Sequence, residues 1–211
     1  MEELLTDADV RVLGSLIEKE LTTPEHYPLT LNALTNACNQ SSNRDPVVRF
    51  DDATVKAAVD RLRKYSLVRS IQRSDARAMK YMHLMGEAMT LERPELAAMC
   101  VLMLRGPQTV GEIRTRGSRL FEFQSLEEVE ATLNGLATRS PYPLVARLAR
   151  QPGQKEARYA HLLSGGVEAL PEAHVRAEPD RLATLESVVD ALRNEVADLR
   201  AEIGGFRRLL E

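Results

Sequence analysis

At 211 residues the chain is long enough for two small domains and an appendage. Its 44% apolar and 28% charged residues are an ordinary globular balance, and the longest apolar run, Leu96 to Leu104, is nine residues, far short of the roughly 20 that span a bilayer. A net charge of -3 argues against a protein that coats nucleic acid non-specifically, because such proteins carry a large positive excess.

The acidic start Met1-Glu2-Glu3, with no apolar stretch and cleavage site behind it, leads us to expect a cytoplasmic protein without a membrane segment. Cys38 and Cys100 stand far apart in apolar helical patterns and read as buried thiols, and His26, His83, His161 and His174 are scattered without metal-ligand spacing. No phosphate-binding glycine loop and no nucleophile elbow occurs. The expectation is a non-enzymatic chain with no catalytic residue, no cofactor and no metal.

Thr6 is placed to cap a helix over about Asp7 to Leu21, in which Val10, Leu13, Ile17 and Leu21 recur at spacings of three and four and predict one buried face. Thr22-Thr23-Pro24 ends it. A second helix is expected over about Thr30 to Asn39, and Asn43-Arg44-Asp45-Pro46 then breaks the chain before a short extended run, Val47-Val48-Arg49-Phe50. Asp51 or Asp52 caps a third helix that reaches Tyr65, with Val55, Ala58, Val59 and Leu62 as its core stripe. A hairpin follows, from Leu67 to Arg73, through a turn at Ser74-Asp75-Ala76-Arg77, and back along Met79, Tyr81 and His83.

The order then repeats. Pro94 and Gly106-Pro107 frame a helix through Leu96, Met99, Cys100 and Met103, a short helix runs from about Thr109 to Arg116, and Ser125-Leu126-Glu127-Glu128 reads as a capping box. The helix it opens carries Val129, Leu133 and Leu136. A second hairpin runs from Leu144-Val145-Ala146-Arg147 through Gln151-Pro152-Gly153 to Arg158-Tyr159, and both copies close alike, Lys80-Tyr81-Met82-His83-Leu84 matching Arg158-Tyr159-Ala160-His161-Leu162. The two tyrosine-histidine pairs read as structural.

Helices with an intervening strand and a closing hairpin are the parts of a winged helix. The fold class expected is therefore mainly α with small β-hairpins (α+β): a winged-helix domain over 1–90, a second over 91–163, a flexible linker over 164–180 and a coiled coil over 181–211. In that last segment Leu182, Val189, Val196, Ile203 and Leu210 recur every seven residues, with Leu185, Leu192, Leu199 and Phe206 at the other seam position. Branched residues at a with Leu at d favour two parallel strands, and Arg181 facing Glu186, Glu195 facing Arg200 and Glu202 facing Arg207 favour the same register. A homodimer through this seam is expected. The competing reading, one amphipathic helix packed on its own domains, would show a wider apolar stripe.

The segment Glu18-Lys19-Glu20-Leu21-Thr22-Thr23-Pro24-Glu25-His26-Tyr27-Pro28-Leu29, with Ala37-Cys38-Asn39-Gln40 and Asn43-Arg44-Asp45-Pro46-Val47, resembles the bacterial YceH family. Leu104-Arg105-Gly106-Pro107-Gln108-Thr109, Gly111-Glu112 with Arg114, and Arg147-Leu148-Ala149-Arg150 with Pro152-Gly153 extend the likeness over nearly the whole chain. The resemblance implies tandem winged-helix domains and carries over no functional residue.

Local charge separates two functions. Residues 1–43 hold seven acidic against two basic side chains, whereas residues 44–80 hold ten basic against five acidic. A dimer with a basic third helix and hairpin is expected to bind double-stranded DNA as a transcription regulator would, with Lys56, Arg61, Lys64, Arg73 and Arg77 as contacts, all off the apolar stripe. The alternative is a protein-interaction scaffold without DNA binding, favoured by the acidic pI and by Glu127, Glu128 and Glu130 on the third helix of the second copy.

Overall fold

Local capping decides where the helices begin. In the computed structural model, which describes residues 4–72, 78–150, 154 and 156–165, helix α1 (Asp7–Thr22) opens on a reciprocal box: the Thr6 side chain accepts from the Asp9 amide, and the Asp9 carboxylate accepts from the Thr6 amide at 2.9 Å. Asp51 caps α3 (Asp52–Lys64) by accepting from Thr54 at 2.8 Å. Thr30 and Thr109 do the same for α2 (Leu31–Cys38) and α6 (Val110–Gly117). Between these, α4 (Met85–Met89) and α5 (Arg93–Arg105) carry the chain from one half to the other, α5 having Pro94 in its first turn and Gly106 at its end. At α7 (Leu126–Ala137) only half of the expected capping box forms. Ser125 accepts from the Glu128 amide, but the Glu128 carboxylate turns to the amide of Gln124 instead of closing back on Ser125.

The strands are short: β1 (Leu29–Thr30), β2 (Val68–Ile71), β3 (Lys80–His83), β4 (Val145–Arg147) and β5 (Tyr159–His161). All pairings are antiparallel. One sheet has the order β1-β3-β2 and the other pairs β4 with β5. The repeat also includes a pairing that the sequence pattern does not reveal. Leu29 lies opposite Tyr81 in the first half, and Gln108 bridges Tyr159 in the second, with backbone hydrogen bonds of 3.0 and 2.8 Å. In each half the pairing residue precedes a threonine that caps the next helix. The fold is thus mixed α/β, with helices and small antiparallel sheets.

Two expectations need correction. The extended run Val47–Phe50 is no strand, and the third strand of the first half lies earlier, at Leu29–Thr30. Phe50 has its backbone groups satisfied by a side-chain amide instead of a sheet neighbour: Asn39 Nδ2 donates to its carbonyl at 2.7 Å, and its N–H donates to Asn39 Oδ1 at 2.8 Å. Nor does α1 bury a single face. It is buried without interruption from Asp9 to Glu18, because α2 and α3 cover one side and α5 covers the other. Gly14 allows that second contact, and the Cys100 thiol donates to its carbonyl at 3.4 Å.

One apolar core runs through both halves, from Leu13, Leu16 and Ile17 of α1 through Val55, Val59 and Leu62 of α3 to Met99, Leu102, Ile113, Leu133 and Leu136. Cys38 and Cys100 are buried free thiols; burial pushes Cys38 up to about 11 and Cys100 higher still, so neither is a nucleophile at neutral pH. The described residues all fall within one compact unit, Met1–Val167. The linker and heptad segments, and with them Leu182, Leu185, Val189, Leu192, Val196, Leu199, Ile203, Phe206 and Leu210, lie outside the described residues. Among the described residues no helix is long and apolar enough to cross a membrane.

Candidate nucleic-acid interface

The expected contact residues are separated by what the fold does with each. Lys56 lies on the solvent side of α3 and donates to both oxygens of Asp60, one turn on, at 2.6 and 2.5 Å. Arg63 reaches the same carboxylate at 3.6 Å, and all three side chains stay nearly half exposed. This charge array holds Asp60 below the usual carboxylate range, chiefly through the Lys56 hydrogen bond. Lys64 is exposed at the end of the helix, where its charge also suits the helix dipole. Arg69 on β2 is exposed, as is Arg49 on the approach to α3. Arg73 and Arg77 lie outside the described residues.

Arg61 has a different task. Its Nε donates to the two oxygens of Asp9 at 3.0 and 3.1 Å, and its Nη2 to the Thr6 hydroxyl at 3.2 Å. Asp9 is buried to 1% exposure, so this arginine ties α3 to the capping box of α1. An Arg61 substitution therefore tests packing before it tests DNA contact.

Arg44, counted in the basic balance of residues 44–80, is buried outright. Its guanidinium donates to Glu18 at 3.1 and 2.6 Å and to the carbonyl of Ala37 at 2.7 and 3.2 Å, and Arg119 joins Glu18 from the second half. Burial alone would raise the Glu18 carboxyl, yet the hydrogen bonds and charges of Arg44, with Arg119 and Lys19, hold it below its ordinary value. Asp9 and Glu18 belong to the acidic first 43 residues, so part of the opposition between the two segments is cancelled inside the fold. Among the described residues of this segment, the basic side chains left for the surface are Arg49, Lys56, Arg63, Lys64, Arg69 and the half-buried Lys80. Asp52 accepts from the Thr35 hydroxyl at 2.5 Å, yet it and Asp51 stay exposed at the start of α3, where their charges oppose a phosphate.

Helix α7, the counterpart of α3, carries no basic side chain, although Arg147 and Arg150 are exposed further along the second half. Glu127 and Glu130 of α7 are exposed, and hydrogen bonds from its own amide and the Ser125 hydroxyl at the helix start hold Glu127 below the usual carboxylate range. The two return-strand histidines also differ. Met85 N–H donates to His83 Nδ1 at 3.3 Å, which leaves the Nε2 hydrogen to point at Glu20, 2.7 Å away. His161 has a buried Nδ1 with no partner among the described residues, and burial pushes its pKa down to about 4, so it is neutral at pH 7.

The chain matches the family model described as "Protein of unknown function, DUF480" over residues 5–154. It is 49% identical to a UPF0502 protein of Pelobacter propionicus and 51% identical to one of Geotalea uraniireducens, in each case over the whole of both chains. It belongs to the UPF0502 family. A more distant UPF0502 protein, VFMJ11_A0613 of Aliivibrio fischeri, is still 44% identical over 98% of this chain and 96% of its own length. The YceH-like resemblance read from the motifs and this membership agree, and the family model spans the UPF0502 chain from α1 through β4.

Proposed function

We propose that this UPF0502 chain is a non-enzymatic, dimeric, double-stranded DNA-binding protein of the transcription-regulator kind, built from tandem winged helices. The element order supports it: in the first half helix, short strand, helix, helix and hairpin follow one another, with the first strand pairing the last, as a winged helix requires. The observation that carries the reading is the exposed basic surface of α3 and β2, from Lys56, Arg63 and Lys64 to Arg69, continuing along the sequence toward Arg73 and Arg77. The C-terminal half of α3 and the hairpin would meet phosphates, and the acidic start of α7 would keep the second half away from them. Exposed Glu127 and Glu130 favour a second reading, in which α7 docks a basic protein partner.

Fluorescence anisotropy with duplex DNA over a salt series tests the first reading. Changing Lys64 and Arg69 to Ala should weaken binding to all sequences and reduce the log-log salt slope by about 0.9 for each phosphate that the variant no longer neutralises. A full-length chain without affinity for duplex DNA at low salt would hand the surface to the scaffold reading. The dimer has its own test. Sedimentation should show the full chain as a dimer and a chain ending at Gly166 as a folded monomer, and a truncated chain still dimeric at micromolar concentration would place the interface on the described residues.

A further inference from the structure

Where α1, the 43–44 turn, α5 and α6 meet, the surface dips into an open, shallow cleft whose interior, about 10 Å³, has room for a single water-sized group. Its floor is apolar, with Cys100, Val101, Leu104 and Leu120 buried, and its walls carry Glu18, Asn43, Arg105, Arg116 and Arg119. Charge at the rim is unbalanced. Glu18 is already met by buried Arg44. Arg119 is a second guanidinium on that one carboxylate. Arg116 donates from Nη1 to Gln108 Oε1 and lies 3.5 Å from Glu112, a carboxylate that Arg158 also reaches at 2.8 Å. Arg105 makes no ion pair among the described residues; its Nη2 donates to the neutral Asn43 Oδ1 at 2.6 Å, and Asp45 is the acidic neighbour whose charge it senses. Asn43 itself is held at a φ of 58°, a left-handed conformation that asparagine tolerates better than most side chains.

Three guanidiniums that crowd one opening repel each other. Burial, and then the charges of Arg116 and Arg119, lower the Arg105 pKa. An arrangement that keeps arginines together without matching carboxylates has a place for an anion, since planar guanidinium forks pair with carboxylate and phosphate oxygens through two parallel hydrogen bonds. Arg105 and Arg119 each spend only Nη2 on the protein among the described residues, leaving Nε and Nη1 as donors.

We propose that the mouth of this cleft binds a small oxyanion, a carboxylate or a phosphate group, held at the rim by Arg105, Arg116 and Arg119. None of Lys56, Lys64 or Arg69 takes part, so the site stands whether or not the protein binds DNA. Because Arg119 belongs to the second half and Glu18 to the first, an anion that draws Arg119 away from Glu18 changes how the halves are tied together.

Isothermal titration of the full-length protein with inorganic phosphate, and separately with citrate, at ionic strength matched by NaCl, tests the proposal. Saturable binding of either is expected, about tenfold weaker or more in Arg105→Gln and in Arg116→Gln. Saturation by phosphate alone assigns the phosphate class, by citrate alone the carboxylate class, and by both the oxyanion in general. Should the variants fail to fold, the wild type decides: the saturating anion should protect Arg105 and Arg119 from phenylglyoxal, read by peptide mass. No saturation by either probe, affinity unchanged in the folded variants, or adduct formation at the same rate with and without anion would overturn the site.

Discussion

Arg44→Met is expected to lower the unfolding free energy by about 3–5 kcal/mol, the cost of leaving a buried charge without its partner. Both members of the pair are sealed from water, Arg44 at 0% and Glu18 at 1% side-chain exposure, and the arginine also occupies the carbonyls of Ala37 and Asn43. Arg119 remains on Glu18 in the variant, but at 44% exposure it is too solvated to replace a buried bidentate partner. Removing both charges, as in Glu18→Gln with Arg44→Met, should recover most of the loss, because the penalty lies in the orphaned charge more than in the missing attraction. Acid supplies the second test. The folded Glu18 carboxyl titrates below its ordinary value of 4.5, so the pair's contribution is complete above that pH and fades as the pH falls through the lower, folded-state value. The gap between wild type and Arg44→Met in urea unfolding should therefore be full at pH 7 and shrink below about pH 4.5. A difference under about 1 kcal/mol at pH 7 would mean that the pair is hydrated and contributes no more than a surface ion pair does.

Gly14→Leu is expected to cost about 3 kcal/mol and to part α1 from α5, whereas Gly14→Ala should cost about 1 kcal/mol. A Cβ at this position would stand 3.0 Å from Leu104 Cδ2, 3.1 Å from Leu104 Cγ and 3.2 Å from Met103 Cβ. For Ala, the neighbours must yield by a few tenths of an ångström, and roughly 1 kcal/mol of helix propensity offsets part of that strain. Leu adds three more carbons to a seam with no room for them. Cys100 reports the result directly, since its thiol is buried against the Gly14 carbonyl in the native seam. Wild type and Gly14→Ala should react slowly with Ellman's reagent under native conditions, and Gly14→Leu rapidly. A Leu variant as stable and as unreactive as wild type would show that the two helices can slide apart at no cost.

Features written in a few adjacent residues are legible in the sequence. Thr6, the Asp51-Asp52 pair, Pro94 and Gly106 mark helix ends because a cap needs only the amides within the next turn, and the structure chooses Asp51 of the pair. The paired return strands with Tyr81 and Tyr159 show as a repeat because both copies keep the same local pattern. Helix α4 has no such signal, since five residues are too few to show a period and its N-cap residue, Leu84, has no capping side chain; its first amide, Met85 N–H, donates to the ring nitrogen of His83 on the preceding strand. What the tertiary structure decided is where charges and faces go. Arg44 and Glu18 are 26 positions apart and Arg61 and Asp9 are 52 apart; a charge count along the chain treats all four as surface groups. The stripe of α1 foretells one buried face, but α5 arrives from the second half and buries the other, taking Ser15 and Glu18 inside with it. The cleft of arginines has the same origin. Its residues come from α1, the 43–44 turn, α5 and α6, and only long-range packing, in which apolar burial outweighs the mutual repulsion of the guanidiniums, sets them around one opening.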